Sequence, residues 1–569
     1  MSREKFAINI AKVVVLVVAG AGVVVATPAS SQEPAAPPAD SVRTPRPRDA
    51  ALGRSRYDLV LVGSEEVDAF RSAQLVDGVA RGASLLLRSA SSLTPPLSRG
   101  HAIGFGIIAP QLLLVTNSAM PFSQNYGALW AGRGASTRAL FGIRLETSHA
   151  RVIIAPEYVN SANKDWILRH DFYAPPLPDD RSQYDLPYYV GNFTIDQPMR
   201  FGDKPIRRVD PGQSTALVSA GSFELGASTE NEWWGPGLRN AIVLSNNAPG
   251  FPHLFFRTGR PLNTRLGALE LRWLVGGLKE SNFFDTVANN NTRSISAISA
   301  VLQPKSNPNL SIGVARSVYA TAKRWNQIPW RWFDVFARTS PSENHIGDST
   351  RTLRDHFYSL FARWVLPDNG LEVNVEWARL RFPRSLRDAL IAPNHTQAYT
   401  IGAQWRSPAW RGGSFRLQTE ITDQEQSATF RDGPLDSWYT SRRVIQGYTN
   451  RGEMLGASIG PGASTQWLAI DYLKPAWRIG AFGGRIRWNE DVHSNFGFPD
   501  YASYCNFDVS IYPGVRAAAR GRFGALTADL TLQNRLNAFF QNAGGCPFDR
   551  KLDIRNNTLS ISYSPFGGF

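Results

Sequence analysis

The sequence predicts an all-β transmembrane chain. It reads as an outer-membrane antiparallel barrel of about eighteen strands, with a small N-terminal helical element that caps it from the periplasm or plugs it. Three observations predict this fold: strands of two-residue alternation, a C-terminal strand that closes on an aromatic, and an N-terminus laid out like an export signal.

At the N-terminus, Arg3, Lys5 and Lys12 precede an unbroken run of Val, Leu, Gly and Ala from Val13 to Ala26. The small residues Thr27 to Ser31 follow, with Ala29 and Ser31 as cleavage positions. That layout predicts a signal peptide over 1–31, because the apolar run falls short of the ~20 residues a spanning helix needs. Residues 32–55, rich in Pro, Ala and Arg, read as a disordered linker. Within 56–98, Val67, Phe70, Leu75, Val79 and Leu86 recur at roughly helical spacing, which predicts one or two short helices as the periplasmic or plug segment.

The barrel is assigned to 99–569. In Leu371 to Trp377 the odd positions are apolar and the even ones polar. Phe415 to Thr422 and Leu526 to Gln533 repeat the pattern. Alternation places one set of side chains on each face of a strand, so Glu372, Glu376, Glu420 and Asp529 would face a polar lumen. A β-sandwich alternates too. The C-terminus decides for the barrel: Leu559, Ile561, Tyr563, Pro565, Gly567 and Phe569 share one parity, and a final strand ending in an aromatic resembles the insertion signal of outer-membrane barrels.

Counting back from Phe569 at the periplasmic end, the turns at Ala519–Gly521, Lys474–Pro475 and Pro367–Gly370 are short. The connections 489–506, 536–555, 424–463 and 321–351 are long, as outer loops should be. The long stretch 160–213 should hide a further strand around Tyr188 to Thr194. Cys505 and Cys546, the only cysteines, fall in consecutive outer loops, where an oxidising compartment permits a disulfide; two unpaired thiols is the alternative.

Two cysteines exclude a disulfide-dense scaffold and a multi-cysteine zinc site. The eight histidines are scattered, with none two to four residues from another, so no metal or cofactor is expected. The net charge of +14 is spread over many arginines. In an exported chain this points away from nucleic acid and toward anionic partners such as lipopolysaccharide or an acidic polysaccharide. Asp491-Val492-His493-Ser494 gathers an acid, a His and a Ser, yet no nucleophile elbow or phosphate loop accompanies it. No enzyme is expected.

Ser228 to Asn240, with Glu230, Trp233-Trp234-Gly235-Pro236-Gly237 and Asn240, resembles the signature of the Wzi-type capsule-assembly family, and the likeness continues through Leu244 to His253, including Asn246. Tyr448 to Gly456 with Ile459-Gly460-Pro461, the hairpin Asn117 to Gly134, and Ala155-Pro156-Glu157-Tyr158 extend it. The resemblance implies an outer-membrane barrel closed by its loops. It also implies a lectin-like role: holding capsular or other surface polysaccharide on the cell without bond chemistry. Membrane lipid, lipopolysaccharide and, during biogenesis, the barrel-assembly machinery would be further partners.

The sugar-contact candidates are Arg324, Trp325, Trp330, Arg331 and Trp332, an aromatic and basic cluster in a long outer loop, with Arg442, Arg443 and Tyr448. Aromatic faces stack on sugar rings, and Arg binds hydroxyls and carboxylates. An aromatic girdle at the membrane interface is the other reading of the tryptophans. The Glu230 to Asn246 residues are read as structural, folding a loop into the lumen, with Gly and Pro setting the turn. The rival from another class is a diffusion porin or channel for small solutes or oligosaccharides, which needs an open lumen.

Overall fold

The computed structural model describes residues 59–80, 82–97, 103–167, 182, 184, 194–287, 290–337, 353–382, 385–426, 436–491, 507–521, 524–540 and 553–564. The signal, the linker, Cys505, Cys546, His493, Ser494 and Phe569 lie outside them. Alternating strands close into an antiparallel barrel of eighteen strands. They are β1 (Gly104–Asn117), β2 (Gly134–Glu146), β3 (Ala150–Ile154, resumed at Glu157–Ser161), β4 (Ile206–Asp210, resumed at Thr215–Ala220), β5 (Phe223–Ser228) and β6 (His253–Thr258 with Leu262–Asn263). Then come β7 (Gly267–Lys279), β8 (Thr292–Pro304), β9 (Leu310–Thr321), β10 (Arg354–Leu366), β11 (Leu371–Arg379) and β12 (Gln397–Arg406). The last six are β13 (Ser414–Asp423), β14 (Ser464–Leu473), β15 (Trp477–Trp488), β16 (Asp508–Gly521), β17 (Gly524–Leu536) and β18 (Ile554–Ser564), and β18 pairs with β1 to close the ring.

The predicted alternation is the alternation of the wall. On β11, Val373 and Val375 are each 38% exposed, whereas Glu372 and Glu376 are fully buried in the lumen. No helix among the described residues is long and apolar enough to cross a membrane; this chain crosses with strands. Each is satisfied by its neighbours, so the closed ring leaves no edge in the hydrocarbon. One end carries short turns and the other long connections, which marks the latter as the outer mouth. Ala519–Gly521, expected to be a turn, is strand, because β16 runs through Gly521. In the 160–213 stretch the described strand is Ile206–Asp210, later in the chain than the expected 188–194, most of which lies outside the described residues. Proline explains the breaks in β3 and β4. Pro156 and Pro211 sit at the interruptions and have no N–H for the ladder, and Ser214 Oγ accepts the Ala155 N–H there instead (3.0 Å).

The lumen is occupied. Helix α1 (Glu65–Asp77) lies inside, where the sequence allows either a periplasmic cap or a plug. Its charged residues meet complementary wall charges. Arg71 Nε donates to Glu372 on β11 (3.0 Å), and Arg363 on β10 reaches the same carboxyl (2.8 Å). Asp68 pairs with Arg416 on β13 (2.8 Å), and Glu65 with Arg478 on β15 (2.5 Å). Arg416, Arg478 and Arg516 converge on buried Asp471. Helix and wall charges therefore compensate one another in a space where a lone charge would cost several kcal/mol.

The 229–252 connection also turns inward. Glu232–Trp234 pairs with Leu87–Ser89 as a two-stranded sheet within the barrel. Two wall carboxyls hold the residues just after it. Glu420 accepts the backbone N–H groups of Leu238, Arg239 and Asn240, the last at 2.9 Å. Glu376 accepts Ile242 N–H (3.2 Å) and the Ser359 hydroxyl (2.8 Å). Beneath the loop, between the start of α1 and β1, β17 and β18, a polar cavity of about 200 Å³ remains.

Candidate functional site

Above the plug, three connections and the outer ends of two strands meet at the outer mouth around a cavity of about 140 Å³. Phe122 and Trp130 come from the β1–β2 connection and Trp166 from the β3–β4 connection. Glu453 comes from the β13–β14 connection, and Trp488 and Phe539 from the outer ends of β15 and β17. The rings brace one another: Trp130 meets Phe201 edge-on at 4.9 Å, and Trp166 lies 5.7 Å from Phe539.

The polar groups here are equally organised. Arg535 on β17 is clamped by Asp508 through two bonds (2.8 and 2.6 Å) and lies over Phe539 (4.6 Å) and Trp488 (5.5 Å). A guanidinium held in that way keeps one orientation. Trp488 Nε1 and Gln533 Nε2 both donate to Ser510 Oγ (2.8 and 2.9 Å). By contrast, Trp130 Nε1, Trp166 Nε1 and Gln197 Oε1 are buried without a partner among the described residues. Unmet buried donors and acceptors are costly, and three in the lining of one cavity are groups that a polar ligand there could satisfy. Burial pushes the Glu453 carboxyl up to about 8, against the pull of Arg208 and Arg451. At neutral pH it carries its proton and can donate a hydrogen bond. Flat aromatic faces, amides and a fixed arginine around a small opening suit hydroxyl-rich rings.

The floor of this cavity includes Asn247, Gly452 and Met454, and those residues belong to the two inward-folded stretches, 229–252 and 448–461. Asn247 Nδ2 donates to Met454 O (3.1 Å), and Ser245 Oγ to Gly456 O (2.6 Å). Residues 208–480, which contain both stretches, match the family model described as capsule assembly protein Wzi. That match spans 273 of the 569 residues, just under half of the chain.

By structure the chain is similar to Wzi of Escherichia coli, described as an outer-membrane protein involved in group 1 capsule assembly and as a carbohydrate-binding β-barrel. That likeness has 10% identity and a TM-score of 0.49, over 80% of this chain and 84% of that one. It is also similar to OccK7 (OpdD) of Pseudomonas aeruginosa, at 11% identity and a TM-score of 0.35, over 80% and 98% of the two chains. OccK2 (OpdF) of P. aeruginosa in complex with glucuronate matches at 11% identity and a TM-score of 0.37, over 81% and 95%. No curated protein matches the chain by sequence.

The Wzi-signature residues sit in the plug. Glu230 is fully buried and accepts both Ser91 N–H and the Ser91 hydroxyl (2.7 Å each). Trp233 lies under the Arg88 guanidinium (4.9 Å), and Trp234 donates to Glu232 (2.9 Å). Gly235 has φ +119 and donates to Leu86 O (2.8 Å). A Cβ on Gly237, after Pro236, would stand 1.9 Å from Asn240 O. Asn240 reaches Glu420, and Asn246 Nδ2 donates to Val62 O and Asn125 O (3.1 and 3.0 Å).

The sugar-contact candidates are scattered by the fold, and none lines the mouth cavity. Tyr448 is fully buried, its ring 4.6 Å from Phe357 and its hydroxyl 3.0 Å from Ser317, so it presents no face to a ligand. Arg442 is held by Asp436 (2.9 Å), and Arg443 is half-buried beside it. Arg324, Trp325, Trp330, Arg331 and Trp332 lie outside the wall. Trp273 and Ser296, which face outward on β7 and β8, donate to Trp332 O (3.1 and 2.8 Å). The loop that carries them has folded down over the barrel's exterior, a placement that composition could not foretell. Asp491 is buried and accepts Gln426 N–H (2.7 Å) and the Ser437 hydroxyl (2.5 Å), which gives it a structural occupation.

Proposed function

We propose that the protein is an outer-membrane lectin-like protein that binds exported capsular or other surface polysaccharide and helps anchor it on the cell. The observation that carries this reading is the mouth cavity: aromatic faces, a clamped arginine and three unpartnered polar atoms above a plugged lumen. Sugar rings stack on Trp130, Trp166 or Trp488, and their hydroxyls meet Gln197, the free indole N–H groups and Arg535. Uronate carboxylates are the natural partners of the arginine and of a protonated Glu453. No bond is made or broken, and the reading calls for no metal or cofactor. One site of this size binds weakly, and a polymer that engages many copies is retained by avidity.

Export through an N-terminal signal, insertion by the barrel-assembly machinery and contact with lipopolysaccharide belong to the same reading. A diffusion porin is disfavoured by α1 and the 229–252 connection, which stand in the lumen. Purified protein in planar bilayers and in a polysaccharide-binding assay tests the proposal. Saturable binding of the host's own surface polysaccharide with negligible conductance supports it. Steady conductance without polysaccharide binding would leave a channel built on this scaffold.

A further inference from the structure

The outer rim of the wall is not level. β5 and β6 open with six-residue runs, Phe223–Ser228 and His253–Thr258, whereas a tilted spanning strand takes ~9–11 residues. Over this low sector the outward-facing residues form two rows. The inner row, nearer the short turns, is bulky: Val218, Leu225, Phe256 and Trp273 are cross-strand neighbours. The row above it is Ala216, Ala227, Leu254 and Val275, also cross-strand neighbours. Two alanines in that row leave a trough.

The β9–β10 connection supplies the far side of the trough. Its 3₁₀ segment Pro329–Phe336 lies on the outside of β7 to β9, tied by the two bonds to Trp332 O and by Arg316 Nη2 donating to Ala337 O (2.8 Å). Gly277 permits this approach, since a Cβ there would stand 2.0 Å from the Trp325 ring. Trp325, Ile328 and Pro329 thereby close an apolar cavity of about 480 Å³ against the wall. Just before Trp325 in the chain, Lys323 and Arg324, both exposed and without an ion pair among the described residues, line a separate opening with Asn326, Gln327 and Trp330, and Lys279 Nζ lies 5.5 Å from the Trp325 ring. Trp330, Phe333 and Phe336 are 86%, 69% and 58% exposed, the last two with an edge against the Trp273 ring of the wall (5.3 and 5.6 Å).

We infer that this trough holds an acyl chain of a phosphorylated outer-leaflet lipid, with the phosphate at Lys323 and Arg324. Three things on the molecule commit it to that occupant. The trough is continuous with the lipid-facing band, where Val218 and Leu225 are more than half exposed. Its lining offers a hydroxyl-rich sugar almost nothing to hydrogen-bond, so a glycan would be desolvated there without return. Lys279 over the Trp325 ring, with Lys323 and Arg324 just before Trp325 in the chain, supplies the cations that an anionic headgroup at the interface requires. The exposed aromatics of the 3₁₀ segment then lie in the interface beside the bound lipid, where such rings collect. The Trp-rich loop is thus a clip on the membrane, distinct from the polysaccharide site at the mouth.

The test uses the purified full chain in detergent, with hexa-acylated lipid A and phosphatidylethanolamine as probes, read by native mass spectrometry as lipid retained on dilution. Ala227→Phe fills the trough from an exposed wall position. Val515→Phe makes the same kind of addition at an exposed position on β16, and unchanged heat-modified gel mobility certifies each barrel. Each buried methylene is worth roughly a factor of four in binding, so Ala227→Phe should lower lipid A retention about tenfold or more. Lys323→Glu combined with Arg324→Glu should remove the preference for lipid A over phosphatidylethanolamine, and Val515→Phe should match wild type. Equal retention by wild type and Ala227→Phe, or no preference for lipid A in the wild type, would overturn the assignment.

Discussion

Glu420→Ala is the sharpest perturbation of the plug. The Glu420 carboxyl accepts three consecutive backbone N–H groups, from Leu238 to Asn240, and the Asn240 side-chain amide (3.2 Å). Alanine deletes every one of these acceptors from β13 while leaving the strand ladder intact. A buried N–H left without a partner costs ~1–3 kcal/mol. Leu238 and Arg239 are only half-buried, so water can reach them and the low end applies. Three such groups at about 1 kcal/mol each come to about 3 kcal/mol, a shift of roughly a hundredfold in the local opening of the 229–252 connection. Amide hydrogen exchange at residues 238–240 should accelerate by about that factor. Glu420→Gln, which keeps one carbonyl acceptor, should fall between. Planar-bilayer conductance of Glu420→Ala should rise above the wild-type baseline as the plug loosens. Unchanged exchange at these amides would refute the claim that wall carboxyls hold the inward loop.

Arg416→Met removes the ion-pair partner of Asp68 and one of the three arginines on Asp471; this should cost toward the low end of the ~3–5 kcal/mol for breaking a buried pair, visible as a lower unfolding temperature in detergent. Glu453 gives a pH dependence of defined sign. Its folded pKa of about 8 lies above the ordinary glutamate value of 4.5, so the stability tied to its proton is full below about 4.5 and is lost as pH rises toward 8. Binding of an acidic polysaccharide should weaken between pH 7 and 9 as the carboxylate forms, and Glu453→Gln should flatten that profile. Trp166→Ala removes a ring face and an indole N–H from the mouth, and its affinity for an oligosaccharide fragment, measured by calorimetry, should fall about three- to tenfold.

The wall was legible because its signal is local and periodic. Leu371 to Trp377 alternates in sequence as it does in space, with Glu372 and Glu376 inward and Val373 and Val375 outward. The inward turn of 229–252 was legible through Trp233-Trp234-Gly235-Pro236-Gly237, where tight turns and bulky rings must pack together. The mouth cavity was not legible. Trp130 and Phe539 are separated by 409 residues, with Trp166 and Trp488 between them, and closure of the barrel alone brings the four together. The Arg324 to Trp332 cluster was visible as exposed aromatics and cations, but sequence does not say on which side of the wall a long loop falls. That choice is made by Gly277, Trp273 and Ser296, which sit on strands remote from the loop. Tyr448 misled because a tyrosine in a loop reads as exposed, whereas the inward fold of 448–461 surrounds it with Tyr319, Phe357 and Tyr439.

Hydroxyl-radical footprinting of the tryptophans, with and without the host's surface polysaccharide, decides where the polymer binds, because the mouth and the outer clip both carry Trp. Protection of Trp130, Trp166 or Trp488 with Trp330 still fully reactive is the predicted result. Protection confined to Trp330, or none anywhere at saturating polysaccharide, would contradict the placement of the binding site at the mouth.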